Sequence, residues 1–113
     1  MKLPNADKVI IDARKLRDYL LSPAHPVGRF KATFFAQLGF SASTWGQLEI
    51  QLRELALQGS AELDERTAFG QKYIVRGSIK GPTQRSAYVA TVWIILRGED
   101  TPRFVTAFPG ELV

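Results

Sequence analysis

The segment QKYIVRGSIKGPTQRSAYVATVWIILR, residues 71–97, decides the fold of the second half of the chain. Its first ten residues alternate between polar and apolar types, which is typical of a β-strand because successive side chains point to opposite faces. Residues 85–97 form a longer run rich in β-branched and aromatic residues, and the intervening GPTQ has the composition of a turn. The segment therefore predicts two long antiparallel strands joined by a turn.

Two flanking stretches extend this sheet. PRFVTAFP, residues 102–109, follows the turn sequence GEDT and predicts a further strand. AELDERTAFG, residues 61–70, has a weaker pattern that fits a strand or a loop. The sheet is therefore expected to contain three to four strands.

The first half of the chain has the spacing of amphipathic helices, with apolar residues recurring three and four positions apart. Asp12 and Ser43 are expected as N-caps, because their side chains can accept hydrogen bonds from exposed helical N–H groups. Three helices are predicted, at about 13–21, 28–38 and 44–58. The second is expected to bury Phe30, Phe34 and either Leu38 or Phe35.

This order of elements predicts an α+β fold in which about three N-terminal helices pack on one face of a C-terminal antiparallel sheet. The 113 residues are expected to form a single domain, with a helical part at 1–59 and the sheet at 60–113. No cysteine is present, so disulfides and thiolate chemistry are excluded. The sequence has neither an apolar run that could span a bilayer nor the pattern of a signal peptide. A soluble, cytoplasmic protein with no membrane partner is therefore predicted.

Alternation along residues 85–97 predicts which side chains of the long strand meet the helices. The set expected to face the core is Tyr88, Ala90, Val92, Ile94 and Leu96. The open face would then gather basic residues around Thr91 and Trp93, namely Lys72, Arg76, Arg85, Arg97 and Arg103. Such a surface suits phosphate groups and a stacked base, although exposed antiparallel sheets carry Lys, Arg and Thr without any ligand.

The available side chains limit the chemistry. One histidine, no cysteine and scattered carboxylates provide no metal-ligand cluster, and no nucleotide-binding glycine motif is present, so neither a metal nor a cofactor is expected. RNA can be cleaved without metal through its own 2′-hydroxyl, given a proton-transfer group and cations. His25 and Lys31, at the start of the second predicted helix, suit these tasks. The alternative for His25 is a loop residue whose ring nitrogen has a structural partner.

Several stretches carry a resemblance to known proteins: the segment at 3–40, FGQKYIVRGSIKGPTQR, TVWII and PRFVTAFP. Together they resemble an uncharacterised bacterial domain family of about this length. They are also similar to C-terminal modules of bacterial polymorphic toxins in the barnase, EndoU, colicin and RelE-like ribonuclease superfamily. The resemblance implies N-terminal helices followed by a four-stranded antiparallel sheet. It also implies metal-independent RNA cleavage and control by an immunity protein or antitoxin.

The resemblance, taken with the basic sheet face, assigns candidate site residues. The catalytic candidates are His25 as general acid or base, Lys31 and Arg85 as phosphate-binding cations, and Thr91 and Thr106 as positioning residues. The substrate-binding candidates are Lys72, Arg76, Trp93 and Arg103. The chain departs from the family pattern at Gln84, where glycine is usual. If that position requires a positive φ, glutamine strains the turn and shifts Arg85.

Three functions are compatible with these residues. The first is a metal-independent endoribonuclease of toxin type, acting on tRNA, mRNA or ribosomal RNA. The second is a non-catalytic module of a two-gene system that binds RNA or a partner protein, with His25 in a structural role. The third is an inert stabilising or immunity component.

Overall fold

A computed structural model describes residues 1–26 and 28–110 of the protein. Its two α-helices are α1, Arg29–Ala36, and α2, Trp45–Gln58. A π-helical segment, Lys15–Leu20, precedes them, and short 3₁₀ turns occupy Ala6–Lys8 and Ala42–Thr44. The strands are β1, Ser60–Arg66; β2, Gly70–Lys80; β3, Ser86–Leu96; and β4, Arg103–Pro109.

The four strands form one antiparallel sheet in the order β1-β2-β3-β4, so each strand pairs with its neighbour in sequence. The predicted α+β fold is confirmed, and the weak segment at 61–70 supplies a real edge strand. The buried residues of α2 (Leu48, Leu52, Leu55 and Ala56) form the stripe expected from their spacing and pack into the same core as the sheet.

The predicted orientation of β3 is wrong. Tyr73 of β2 pairs with Trp93, and Val75 pairs with Thr91, so these residues share one face of the sheet. That face meets the helices: Trp93 and Val75 have no exposed surface and belong to the core. The row of Tyr88, Ala90, Val92, Ile94 and Leu96 lies on the opposite face. Both rows of β3 are largely apolar, so alternation alone could not distinguish them, whereas pairing with β2 does.

A buried hydrogen-bonded pair fixes this arrangement. The indole Nε1–H of Trp93 donates to Oγ1 of Thr91 at 2.8 Å, and the Thr91 hydroxyl donates to the carbonyl of Val75 at 2.7 Å. A buried polar group is costly unless its hydrogen bonds are made. Here the threonine satisfies the tryptophan, and the indole ring packs edge-on against Phe104 of β4, with ring centroids 5.4 Å apart.

The helices differ from the predictions in detail. Phe30 is 70% exposed, and the guanidinium of Arg29 lies over its ring, 4.9 Å from the centroid. Phe35 and Leu38, expected as alternatives, are both buried, and Phe34 is partly buried against the core. The cap before α2 is also displaced, because Ser41 rather than Ser43 forms a capping box with Thr44. Asp12 does accept the backbone N–H of Arg14 at 2.9 Å, as expected of a residue that starts a helix.

A β-bulge interrupts β4. Val92 pairs with Thr106 and Trp93 pairs with Phe104, so Val105 is the extra residue. Phe104 and Ala107 are consequently both buried, although strict alternation would place them on opposite faces. The bulge turns the chain locally in this outermost strand, whose start is bridged by Ile10 and whose outer edge borders the candidate site.

Gln84 has a φ of 70°, in the left-handed region. It occupies the β2–β3 turn, which is closed by a hydrogen bond from Gly81 N to Arg85 O of 2.9 Å. The left-handed conformation costs a residue with a side chain about 1–2 kcal/mol relative to glycine, because Cβ crowds the backbone. The position therefore does require the conformation that glycine supplies most easily.

We expect Gln84→Gly to raise the free energy of unfolding by about 0.5–1 kcal/mol, since relief of the strain exceeds the added entropy of the unfolded chain. Urea unfolding followed by tryptophan fluorescence measures this. Gln84→Ala is the matched control, because it shortens the side chain and retains the crowded Cβ. A glycine variant no more stable than the alanine variant would contradict the strain.

We expect Thr91→Val to lower the free energy of unfolding by about 1–3 kcal/mol, because it leaves the buried Trp93 N–H without an acceptor. Thr33→Val, exposed on α1, should stay within about 0.5 kcal/mol. The double variant Thr91→Val/Trp93→Phe should cost less than the sum of the single changes. Strict additivity would show that the two side chains do not act together.

Candidate functional site

A polar cluster joins α1, the π-helical segment and β4. The ammonium of Lys31 donates to Oη of Tyr19 at 3.0 Å and to Oγ1 of Thr106 at 2.9 Å. All three side chains are partly buried. The ammonium also lies 5.3 Å from the centre of the Tyr19 ring. Lys31 and Thr106, separated by 75 positions in the sequence, are thus in direct contact.

His25 lies beside this cluster. Its ring packs edge-on against the Tyr19 ring, with centroids 4.9 Å apart and planes at 88°. Its Nδ1 accepts the backbone N–H of Gly28 at 3.0 Å. In the neutral imidazole the proton therefore resides on Nε2, which makes that nitrogen a donor. His25 thus has both a structural contact and a position next to the Lys31 hydroxyl partners.

Local backbone features bring these groups together. A Cβ on Gly28 would lie 2.0 Å from the carbonyl oxygen of Tyr19, so only glycine permits this close approach. The approach places the start of α1 against the π-helical segment. Lys31 is the third residue of α1 and therefore emerges on its first turn, near Tyr19. The bulge at Val105 orients Thr106 from the opposite side.

The cluster borders a cleft of about 590 Å³. Its lining residues are Asp12, Arg14, Lys15, Tyr19, Val105 and Thr106. Lys15 donates to the carbonyl oxygen of Val105 at 3.4 Å, so its ammonium lies along the same edge as that of Lys31. The carboxylate of Asp12 is held by Arg14 through contacts of 2.8 and 3.1 Å, which lower its pKa to about 2.

The electrostatics of the cluster act on Tyr19. The hydrogen bond from Lys31 lowers the pKa of the Tyr19 hydroxyl, and this effect exceeds that of burial, which raises the pKa. The contact with Thr106 and the charge of Lys15 add smaller decreases. Because a nearby cation stabilises the phenolate, this hydroxyl loses its proton more readily than an isolated tyrosine. The site therefore combines two ammonium groups, an acidified phenol and an imidazole.

Thr91 and Trp93 are not part of this cluster. The prediction that they lie on the open face is wrong: both are fully buried on the helix side and bond to each other. They cannot contact a substrate without unfolding of the core. Arg85 lies at the exposed β2–β3 turn, and no described hydrogen bond or ion pair joins it to His25 or Lys31.

The basic residues of the outward sheet face carry partners that the sequence prediction did not include. Arg76 pairs with Glu62 at 3.0 Å and Lys72 with Glu65 at 3.6 Å, both acids belonging to β1. Arg103 pairs with Glu99 at 3.1 Å. These carboxylates offset much of the expected positive charge. A substrate-binding role for Lys72, Arg76 and Arg103 remains a prediction.

Sequence reasoning missed Tyr19 and Lys15. The spacing of Leu16, Tyr19 and Leu20 predicts one apolar face of the first helix, and the Tyr19 ring does pack against the core. Its hydroxyl was the available signal, since a tyrosine at the margin of an apolar face commonly directs its polar tip to a partner. Lys15 carries no comparable signal, because a lysine on a helix is ordinarily solvated.

In the part of the chain that the structure describes, no group of three or more His, Asp or Glu side chains is arranged for a metal ion. Within the same residues no helix has the length and apolar character needed to cross a membrane.

Comparisons with known proteins give a family and a fold. A family model described as "Domain of unknown function (DUF6883)" matches residues 2–111. No curated protein matches the sequence. Among solved structures, a chain of "Contact-dependent growth inhibition toxin - immunity protein complex from Klebsiella pneumoniae 342" is similar, with a TM-score of 0.68 and 15% identity. The alignment covers 95% of this chain and 97% of that chain, so the two share an overall fold.

We expect Lys31→Met to raise the pKa of Tyr19 toward its ordinary value of about 10, because the change removes the strongest stabilisation of the phenolate. Titration of the ¹³Cζ resonance of Tyr19 by NMR measures this, with Tyr19→Phe assigning the signal. Lys80→Met, on β2, is the matched control and should leave the titration unchanged. An unaltered Tyr19 titration in Lys31→Met would show that the ammonium does not act on the phenol.

Proposed function

We propose that this chain, which belongs to the family described as Domain of unknown function (DUF6883), is a toxin-type endoribonuclease that cleaves RNA without a metal ion. One observation carries the proposal: the Lys31 ammonium is held by the hydroxyls of Tyr19 and Thr106, beside an imidazole and at the edge of a cleft. None of the described ion pairs gives Lys31 a carboxylate partner. Its charge is therefore available to an anionic group.

RNA cleavage through the 2′-hydroxyl suits such a cluster. The O2′–phosphorus bond forms while the phosphorus–O5′ bond breaks, giving a 2′,3′-cyclic phosphate and a 5′-hydroxyl. Negative charge accumulates on the non-bridging oxygens in the transition state, and a fixed ammonium in a partly buried site stabilises it. Lys31 takes this role, and Thr106 positions its ammonium.

Proton transfer requires one group that gains a proton and one that supplies it. Tyr19, whose pKa the neighbouring cation lowers, is suited to accept the 2′-hydroxyl proton as the phenolate. The O5′ leaving group takes a proton from Lys31 or from water. His25 positions Tyr19 by packing edge-on against its ring. It becomes an acid or base itself only when the Gly28 N–H releases Nδ1.

The fold likeness supports a place for this chain in a toxin–immunity pair. The similar structure is a complex of a growth inhibition toxin with its immunity protein, and a chain of that complex has this architecture over nearly its full length. A protein partner that covers the cleft and blocks access of RNA would hold the enzyme in check. The partner is thus proposed to be an immunity protein or antitoxin.

A second candidate function is a non-catalytic module that binds a partner protein in such a pair. The paired charges on the outward sheet face favour it, because Arg76–Glu62 and Lys72–Glu65 present both signs rather than a basic surface. In that case His25 and Lys31 stabilise the junction of α1 with β4. The two functions differ in whether RNA is cleaved.

Incubation of the purified protein with total RNA in the presence of EDTA tests the proposal. We expect cleavage that Lys31→Met lowers by about 10²–10³-fold, the size of effect seen when one transition-state donor is lost. Tyr19→Phe should lower it by about 10²–10⁴-fold, since it removes proton transfer while retaining the ring. The products should carry 2′,3′-cyclic phosphate ends.

Lys80→Gln, at an exposed position of β2, is the matched control for a lost positive charge outside the cluster, and its activity should stay close to wild type. Thermal unfolding of each variant separates loss of the site from loss of the fold. RNA that remains intact with the wild-type protein, or is cleaved equally by Lys31→Met, would contradict the nuclease. Growth arrest on expression that survives Lys31→Met would favour the binding module.

A further inference from the structure

We infer that Lys15 and Lys31 bind successive phosphate groups of one single-stranded nucleic acid along the bulged edge of β4. The inference rests on the proposed function, because it identifies how the substrate of that site is held. Lys15 takes no part in the proposed bond-breaking step, and its pairing with Lys31 concerns how a single-stranded substrate is held.

The two ammonium groups are fixed to neighbouring residues of β4. Lys15 contacts the carbonyl oxygen of Val105 at 3.4 Å, and Lys31 contacts the hydroxyl of Thr106 at 2.9 Å. Both cations therefore contact adjacent residues of one strand, on the same edge of the sheet. The charges of both lysines also lower the pKa of the Tyr19 hydroxyl. The two ammonium groups of Lys15 and Lys31 are suited to two phosphate groups that follow one another along a chain.

The carboxylate in the cleft does not cancel this charge. Asp12 is engaged by Arg14 through two contacts, and the pair contributes no net charge to the lining. Asp18 is engaged by Arg17 in the same way, at 2.8 Å. Lys15 and Lys31 have polar, uncharged partners and no carboxylate among the described ion pairs. The edge therefore carries a net positive charge where the cleft opens.

The size of the cleft favours a single strand. Its volume of about 590 Å³ is within the range of sites for small ligands, which corresponds to one nucleotide with its phosphate rather than to a base-paired helix. The Tyr19 ring forms one wall, with His25 packed edge-on against it. An unpaired nucleotide can enter such a space, whereas a base in a duplex remains in its stack.

Binding of a fluorescent DNA oligonucleotide, measured by anisotropy across a range of salt concentrations, tests this inference separately from cleavage. DNA lacks the 2′-hydroxyl, so binding is measured without reaction. Each neutralised phosphate contributes about 0.7 to the slope of log affinity against log salt for single strands. We expect Lys15→Gln to lower affinity and to reduce that slope by about 0.7, and Lys31→Gln to do the same.

Lys80→Gln is the matched control, because Lys80 is exposed on β2 and β3 separates it from β4. Its slope should equal that of the wild type. An unchanged slope in Lys15→Gln, or equal affinity for a duplex of the same length, would overturn the inference even if RNA is cleaved. A reduced slope in a protein that leaves RNA intact would overturn the nuclease and retain the binding site.

Discussion

Burial of Trp93 against the helices sets the geometry on which the other elements depend. The indole satisfies its N–H with Thr91, and Thr91 bonds to β2, so one network ties the two central strands together in a single register. A slip of one residue would turn both side chains to the opposite face of the sheet and separate the Thr91 hydroxyl from the Val75 carbonyl. With β3 fixed, its partner β4 is fixed as well, including the bulge that orients Thr106.

The candidate site is built at the margin of this core. Three elements meet there because Gly28 permits close contact with Tyr19, α1 presents Lys31 on its first turn, and the bulged strand supplies Thr106. The hydroxyl groups hold the ammonium in place without neutralising it. A structural salt bridge would have used a carboxylate, as Arg53 and Glu49 do on α2. Because both hydroxyl partners are uncharged, the positive charge of Lys31 stays available for binding.

Charge on the remaining surface is arranged differently. Two glutamates of β1 form ion pairs with Lys72 and Arg76, and Glu99 forms one with Arg103. Exposed ion pairs of this kind contribute little to stability, yet they alter the field that an anionic ligand meets. These pairs therefore reduce the positive charge that the outward face of the sheet presents.

The strain at Gln84 depends on its φ of 70°, which only the structure supplies. The sequence by itself determined the α+β order, the hairpin at 71–97 and the apolar stripe of α2, because each follows from local periodicity. It also singled out His25, Lys31 and Thr106. Only the tertiary structure decided the inward face of β3, since both of its rows are apolar, and only the structure showed the bulge at Val105. Likewise, the contact of Tyr19 with Lys31 and the pairing of Arg76 with Glu62 depend on elements that are distant in the chain. Side-chain type defines what a residue can do, whereas packing decides which residues act together.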